Sequence, residues 1–177
     1  MNKRDFFDLI DKIDIIEMLA DIVKIPSYEN EQGIVEYIAK RLRKIGVEYE
    51  LTDIEPKRQN LIATIGSGEK SLIFNSHTDT VSYGNVDNWS DPPLRLTRKN
   101  DKLYGLGSCD AKGSLTAMLI AFEYLASEHF SLDGRLILQA VCCEETRGRG
   151  TFAEAKKGIK ADFDTGKPCV FAHTIGT

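Results

Sequence analysis

Long apolar runs, an excess of basic residues and paired cysteine motifs are all missing from this chain of 177 residues. No stretch approaches the ~20 consecutive apolar residues that a membrane-spanning helix requires, so no membrane association is expected. The formal net charge is -4, which provides no basic surface for nucleic acid or for an anionic membrane. Asp5 interrupts the first residues where a signal peptide would need an apolar stretch, and a cytoplasmic location is therefore expected.

The cysteines are few and lack metal-site spacing. The chain has 4 of them, at positions 109, 142, 143 and 169, and no two are separated in a C-x-x-C pattern. Cys142 and Cys143 end an apolar run that predicts a strand, and consecutive side chains of a strand point to opposite faces. We therefore expect buried thiols rather than a disulfide or a structural zinc site.

What the chain does contain is the pattern of a globular α/β domain. Hydrophobic residues make up 42% of the chain and charged residues 28%, typical of one domain with a substantial core. Helical spacing of apolar residues alternates with short apolar runs, which predicts a mixed β-sheet sandwiched by helices. Helices are expected around residues 16–25, 34–45, 112–125 and 151–157, strands around 47–53, 60–65, 71–75, 135–142 and 170–172, and a hairpin over 94–104.

Three short polar islands interrupt this pattern where apolar or glycine-rich segments end. His77-Thr78-Asp79 follows the apolar run 71–74, Asp110 follows the turn 105–109, and Glu144-Glu145 follows the apolar run 136–143. Open α/β sheets bind ligands at the carboxyl ends of their strands. One imidazole and several carboxylates converging there would form the ligand set of a divalent-metal hydrolase, with one glutamate binding metal and its neighbour acting as general base.

Each island alone permits a simpler interpretation. A histidine at a strand end is often structural, Asp110 could cap the helix that follows it, and adjacent glutamates often form a solvated acidic loop. The spacing Gly105-x-Gly107-x-x-Asp110 also resembles a dinucleotide loop, but an acid replaces the third glycine and no long strand precedes it. The occurrence of all three islands, in order and each at a strand end, favours the metal site.

Taken together, the motifs resemble the dinuclear zinc amidohydrolases and peptidases that include acetylornithine deacetylase, succinyl-diaminopimelate desuccinylase, aminoacylase and carboxypeptidase G. The matching segments are residues 76–81 (Ser-His-Thr-Asp-Thr-Val), 89–93 (Trp-Ser-Asp-Pro-Pro), 103–113 (Leu-Tyr-Gly-Leu-Gly-Ser-Cys-Asp-Ala-Lys-Gly) and the Glu144-Glu145 pair. The second and third segments are most similar to the deacetylase and desuccinylase branch. The similarity runs from the N-terminal helices to about residue 163.

This resemblance implies a zinc exopeptidase-like catalytic domain with two divalent metal ions, zinc or alternatively cobalt. His77 would bind one ion, Asp110 would bridge both, and Glu145 would bind the other. Glu144 would be the general base, and Asp79 would hold the imidazole of His77. The implied reaction is hydrolysis of the amide bond of an N-acyl amino acid or a small peptide.

The chain departs from the family pattern towards its C-terminus. Family members place a further acidic ligand in a Gly-Glu-Pro context, where this chain has Lys167, so Asp162 or Asp164 would have to substitute for it. They then continue into a lid or dimerisation domain and supply a final histidine, whereas His173 here is expected to be structural. We therefore expect residues 1–177 to be the N-terminal part of a metallohydrolase catalytic domain, dimeric only in a full-length form. The alternative is a truncated, catalytically inactive relic.

Overall fold

The structure is a computed structural model, and it describes residues 14–126, 131–159 and 161–164. A four-stranded sheet and a separate two-stranded hairpin are connected by helices. The elements in chain order are α1 (Ile15–Lys24), α2 (Gln32–Lys44), β1 (Tyr49–Glu55), β2 (Arg58–His77), a 3-10 turn (Val86–Asn88), β3 (Thr97–Lys99), β4 (Lys102–Tyr104), α3 (Lys112–Ala126), β5 (Asp133–Val141), α4 (Arg149–Lys156) and β6 (Phe163–Asp164).

The first two helices begin and end where local chemistry requires. The Asp14 side chain accepts a hydrogen bond from the backbone N–H of Glu17 at 2.8 Å and so caps α1. Pro26 cannot continue that helix, which ends at Lys24. Gly46, with φ +71°, follows the last residues of α2 in the left-handed conformation that favours glycine. Each helix therefore presents a short, defined apolar face to the sheet.

β2 passes on both sides of β5. Its partners on β5 fall from Ala140 to Arg135 as β2 runs from Leu61 to Gly66, so this half is antiparallel to β5. They rise from Arg135 to Val141 as β2 runs from Ser71 to His77, so the second half is parallel. β1 pairs antiparallel with the first half and β6 pairs with the second, which places β5 at the centre of a mixed sheet.

The chain crosses the end of β5 between the two halves of β2, and glycine permits this crossing. A Cβ on Gly66 would lie 2.3 Å from the backbone oxygen of Gly134, and Gly66 itself has φ +77°. A larger residue would therefore push the two segments apart. The predicted strands 60–65 and 71–75, separated by a glycine-rich break, are confirmed as the two halves of one continuous element.

One face of the sheet carries the principal apolar core. α1, α2 and α3 pack on this face, where every second side chain of the strands points towards them. The helices contribute buried residues that include Ile22, Ile38, Leu119 and Phe122, and the strands contribute Leu61, Ala63, Leu136, Leu138 and Ala140.

The opposite face is more polar and less covered within the described residues. α4 lies there, where the Asn60 side chain donates hydrogen bonds to the Gly150 carbonyl at 2.9 Å and to the Glu154 carboxylate at 2.7 Å. A small apolar cluster of Ile62, Ile73 and Ile137 packs against Ile159 and Ala161. A cavity of about 530 Å³ opens beside this cluster. The predicted mixed α/β sheet is confirmed, and among residues 14–126, 131–159 and 161–164 its second face carries one short helix whereas the first carries three.

The predicted hairpin is confirmed by the antiparallel pairing of β3 with β4, and each predicted helix is present with ends shifted by a few residues. The predicted strand 170–172 lies outside the described residues.

The expectation that Cys142 and Cys143 point apart is wrong, because β5 ends at Val141 and Cys143 has φ +61°. Their buried sulfurs lie 3.6 Å apart as free thiols. No helix in the described part of the chain is long and apolar enough to span a membrane.

Candidate metal centre

The three polar islands meet at one edge of the sheet. His77 is the last residue of β2 and pairs in register with Val141, the last residue of β5. Glu144 and Glu145 follow β5 closely, and Asp110 lies in the turn before α3. Because the second half of β2 and β5 run parallel, their carboxyl ends lie side by side. Ligand atoms of His77, Asp110 and Glu145 consequently all lie within 4.8 Å of one another.

His77 is buried, with 1% of its surface exposed, and both ring nitrogens face oxygen atoms. Nδ1 lies 3.0 Å from the backbone carbonyl oxygen of Asp79, and Nε2 lies 2.9 Å from Oδ1 of Asp110. Burial by itself would lower the pKa of His77, but the hydrogen bonds to Asp79 and Asp110 outweigh it and raise that pKa to about 9. In the absence of metal, a protonated imidazole therefore neutralises part of the surrounding negative charge.

Asp79 organises the backbone of the glutamate loop. Its carboxylate accepts hydrogen bonds from the backbone N–H of Glu144 at 3.1 Å and of Glu145 at 3.0 Å. The same carboxylate comes to 3.5 Å of His77 Nδ1, which is nearer to the Asp79 carbonyl. Burial would raise the pKa of Asp79, but its contact with His77 and these backbone bonds hold the pKa below its usual value. Asp79 thus connects two of the three islands.

Behind Asp79 lies a buried pair of opposite charges, Glu31 and Arg58. Nη2 of Arg58 lies 2.6 Å from Oε1 of Glu31, and Nε lies 3.0 and 3.1 Å from the two carboxylate oxygens. Nη2 also reaches Oδ2 of Asp79 at 3.5 Å. The guanidinium therefore supports the carboxylate that holds the glutamate loop.

The two glutamates differ in their surroundings. Burial raises the pKa of Glu145, and the negative charge of Asp110 adds to this shift. Glu144 also lies near the imidazole, with Oε2 4.0 Å from Nε2 of His77, and 20% of its side chain is exposed. Glu145 is thus among the candidate ligands, and Glu144 lies beside them with its side chain partly exposed.

The turn that carries Asp110 is packed too tightly for a side chain at Gly107. This glycine has φ +75°, and a Cβ there would lie 2.7 Å from Cγ2 of Thr80 and 3.1 Å from the Lys112 side chain. Lys112 is fully buried and donates a hydrogen bond from Nζ to the carbonyl of Ile25 at 2.6 Å. Burial lowers the pKa of Lys112 to about 8. The peptide bond between Asp110 and Ala111 is cis.

The donor set fits a divalent cation. Nδ1 of His77 faces a carbonyl, which accepts a hydrogen bond, so in the neutral imidazole that binds metal Nδ1 would keep the proton and Nε2, on the side of the carboxylates, would offer its lone pair to the ion. Histidine ligands characteristically donate their other N–H to a carbonyl or carboxylate in this way. One imidazole nitrogen and two carboxylates supply the three protein ligands usual for a catalytic zinc site. The cluster accounts for one ion; a second would need donors beyond these three.

The structure does not bring Asp162 to this edge, and Asp164, the other proposed substitute ligand, pairs in register with Ile73 of β2, four positions before His77. Asp162 accepts hydrogen bonds from the backbone N–H of Ser71 at 2.8 Å and from its hydroxyl at 3.3 Å. Ser71 lies six positions before His77, at about 3.3 Å per residue, so Asp162 is at the opposite end of the half of β2 that runs parallel to β5. Asp162 as the third ligand is therefore a wrong expectation. Lys167 and His173 lie outside the described residues.

Sequence reasoning missed the supporting residues Glu31, Arg58 and Lys112. Glu31 and Arg58 are 27 positions apart, and neither belongs to a motif that predicts chemistry. Lys112 was part of the family-like turn but had no role attached to it. A charged residue flanking an apolar run is ordinarily exposed, so burial of these three could not be anticipated.

Comparison with known proteins identifies the family. The model of peptidase family M20/M25/M40 matches residues 73–176. The chain belongs to this family. It is 36% identical over 166 residues to a protein of Staphylococcus aureus strain MRSA252 named as a probable succinyl-diaminopimelate desuccinylase, covering 89% of this chain and 41% of that protein. A Staphylococcus epidermidis protein of the same name is 37% identical over 150 residues, covering 84% and 37%.

Solved structures share the M20 fold. An M20 family metallo-carboxypeptidase from Sulfolobus solfataricus superimposes with a TM-score of 0.73 at 23% identity, covering 86% of this chain and 36% of that one. Human carnosine dipeptidase 1 gives a TM-score of 0.75 at 20% identity, covering 90% and 39%. The chain therefore spans about two fifths of the length of the relatives that it matches.

Proposed function

We propose that this chain forms the metal-binding part of a metal-dependent hydrolase that cleaves the amide bond of N-acyl amino acids or small peptides. The observation that carries the proposal is the cluster of His77, Asp110 and Glu145, whose ligand atoms lie within 4.8 Å. Membership of the M20 family supports it, as do relatives named as desuccinylases and dipeptidases. Residues 1–177 correspond to the N-terminal part of such a catalytic domain.

His77, Asp110 and Glu145 would hold the metal, with Asp110 as the bridging ligand where two ions are bound. Zinc is the ion that suits one imidazole and carboxylates best, and cobalt would replace it. When bound, the ion supplies Lewis acidity towards the amide carbonyl and lowers the pKa of water.

Glu144 is the proposed general base. Its carboxylate is partly exposed, and its backbone N–H donates a hydrogen bond to Asp79, which fixes the position of the Glu144 backbone. From there it can accept a proton from the attacking water and deliver it to the leaving amine. The Asp79 carbonyl keeps the imidazole of His77 in the tautomer that binds metal. The Asp79 carboxylate fixes the backbone of the two glutamates through hydrogen bonds.

The substrate would be a small molecule of the kind that the desuccinylase relatives are named for, an N-succinyl or N-acetyl amino acid, or a dipeptide. The net charge of -4 gives no reason to expect nucleic acid as a partner. A cytoplasmic location and a homodimer of a full-length form belong to the same proposal.

Metal content and turnover of the purified chain test this proposal. The chain is stripped with a chelator, titrated with zinc, and assayed for amine release from N-succinyl and N-acetyl amino acids and from dipeptides. Glu144→Gln removes the base but keeps the shape, so we expect unchanged zinc binding and turnover reduced by about 100-fold or more. Glu69→Gln, a matched change of an exposed glutamate, should leave both unchanged.

Three results would each contradict a part of the proposal. A chain that binds no zinc under these conditions lacks the proposed centre. Zinc binding without turnover of any of these substrates would instead identify the relic, a metal-binding chain with no catalysis of its own. Undiminished turnover in Glu144→Gln would show that Glu144 is not the general base.

A further inference from the structure

Arg58 occupies a position that the proposed chemistry does not use directly. It begins β2, is 6% exposed, and makes its closest contacts with the buried carboxylate of Glu31. Its guanidinium also reaches Oδ2 of Asp79 at 3.5 Å and the hydroxyl of Thr146 at 3.3 Å. Glu31 precedes α2, Asp79 follows β2 and Thr146 follows β5, so one side chain contacts three separate segments around the centre.

The two carboxylates beside Arg58 hold the backbone that carries the glutamate pair. Glu31 lies close enough to the backbone N–H of Cys143 for this amide to favour its charged form. Asp79 accepts hydrogen bonds from the next two backbone N–H groups, those of Glu144 and Glu145. Two consecutive amides after β5 are therefore bound by Asp79, which shares one cation with a second buried acid, Glu31.

Charge explains why this arrangement needs the cation. Glu31 and Asp79 are 0% and 1% exposed, and two buried carboxylates near one guanidinium would repel each other without it. A buried acid that loses its partner becomes protonated, turns away or admits water. Any of these would loosen its hold on the amides and, through Asp79, on His77.

We propose that Arg58 is a positioning residue of the metal centre, which fixes Asp79 and through it the orientation of His77 and of the Glu144–Glu145 loop. The inference rests on the proposed metal centre. In the described part of the chain the Arg58 side chain contacts Glu31, Glu55, Asp79 and Thr146, none of which is a candidate metal ligand, and it therefore acts through Asp79 and Glu31. Partners behind a ligand typically change metal affinity by 10- to 100-fold when removed.

The test compares zinc affinity in two arginine variants of the same chain. Arg58→Met removes the cation at the centre, whereas Arg41→Met removes an arginine whose Nε and Nη2 both lie 2.6 Å from Glu123, between α2 and α3. Zinc affinity is measured by competition with a chromophoric chelator, and the visible spectrum is recorded with saturating cobalt. We expect Arg58→Met to weaken zinc about tenfold or more and to alter the cobalt spectrum, and Arg41→Met to change neither.

Arg58→Lys and Glu31→Gln keep the inference testable if Arg58→Met does not fold. Lysine preserves the charge but not the planar fork, so it should restore part of the affinity. Glutamine leaves a hydrogen-bond acceptor for Cys143 and should weaken zinc less than Arg58→Met. Wild-type affinity and an unchanged cobalt spectrum in the folded Arg58 variants would overturn the inference. No zinc binding by the wild-type chain would overturn the proposed centre instead, and this inference with it.

Discussion

Beneath α1, α2 and α3 the sheet buries a cluster of apolar side chains, whereas at the carboxyl ends of β2 and β5 it buries charged ones. Leu119 and Leu138 in the first region are 0% exposed, and Glu31 and Asp79 in the second are 0% and 1% exposed. Burial is equally complete in the two regions, but its energetic consequence differs. Apolar burial stabilises by about 25 cal/mol per Å², whereas a buried charge must be paired merely to offset its lost hydration.

This difference indicates that the two regions serve different purposes. The helix-covered face stabilises the domain and needs shape but no particular chemistry. The strand-end edge holds a buried acid network at a cost to stability, which is typical of sites arranged for binding. Substitutions in the apolar core should therefore change the free energy of unfolding, and substitutions at the strand-end edge should change zinc affinity. The substitutions that follow test whether these two effects are separate.

The largest expected effect is in the apolar core. Leu119→Ala should lower the free energy of unfolding by about 2–5 kcal/mol, because it leaves a cavity among fully buried neighbours. The exposed Leu51 is the matched control, and Leu51→Ala should cost well below 1 kcal/mol. Urea unfolding measures both, and zinc titration of the folded protein should give the wild-type affinity. A tenfold loss of zinc affinity in Leu119→Ala would show that core and edge are coupled.

At the edge, His77→Ala should lower zinc affinity by at least about 100-fold, equivalent to roughly 2.7 kcal/mol, because it removes the nitrogen ligand. Wild-type chain should unfold at a higher temperature when zinc is added, since a ligand that binds only the folded state stabilises it. This increase should disappear in His77→Ala. Thermal unfolding with and without zinc is the measurement, and an increase of the same size in both proteins would contradict His77 as a ligand.

Gly107 lies where the edge meets the protein interior. Gly107→Ala should destabilise the fold by about 2 kcal/mol and weaken zinc binding, because a Cβ would push Thr80 or Lys112 and so move the Asp110 turn. Gly84 also has a positive φ, +63°, but nothing lies within 4 Å of its Cβ position. Gly84→Ala should therefore cost only the backbone strain and leave zinc affinity unchanged. Equal effects of the two substitutions on zinc affinity would argue against the packing role of Gly107.

The smallest expected effect concerns pH. Burial lowers the pKa of Lys112 to about 8 from its ordinary value of 10.5, so between pH 8 and pH 10.5 the unfolded chain binds more protons than the folded one. Stability contributed by this residue should rise with pH in that window, by about 1–2 kcal/mol between pH 8 and 9.5. His77, whose pKa is raised to about 9, loses stability over the same interval in every variant, so the Lys112 increment is measured as a difference between proteins. In urea unfolding, stability should rise by about 1–2 kcal/mol more between the two pH values in wild type and in the exposed control Lys102→Met than in Lys112→Met. An identical pH slope in all three proteins would contradict it.

Much of the fold was predictable because it depends on local pattern. Apolar spacing predicted α1, α2 and α3, and the glycines at 46 and 66–68 marked where elements end or cross. The strand ends that carry His77 and Glu144 were predictable for the same reason, since apolar runs stop there. What local pattern could not predict is that the halves of β2 lie on opposite sides of β5, because pairing joins residues more than 60 positions apart.

The supporting network was unpredictable for a related reason. Glu31 and Arg58 are ordinary charged residues in sequence, and only the packing of α2 against the sheet buries them together. Asp162 shows the converse: its position in the chain suggested a ligand, and the structure places it beside Ser71, far from His77. Residue type restricts what a side chain can bind, but distance decides whether it does so.

The sequence by itself therefore determined the α/β class, the family and the three islands of His77, Asp110 and Glu144–Glu145, because these depend on periodicity and residue type. Tertiary structure alone decided that ligand atoms of the three islands lie within 4.8 Å of one another. It also decided that Asp79 binds the backbone of the glutamate loop and that Arg58 contacts Asp79. The physical reason is that burial and charge pairing are properties of distant segments brought together, and neither is encoded at any single position.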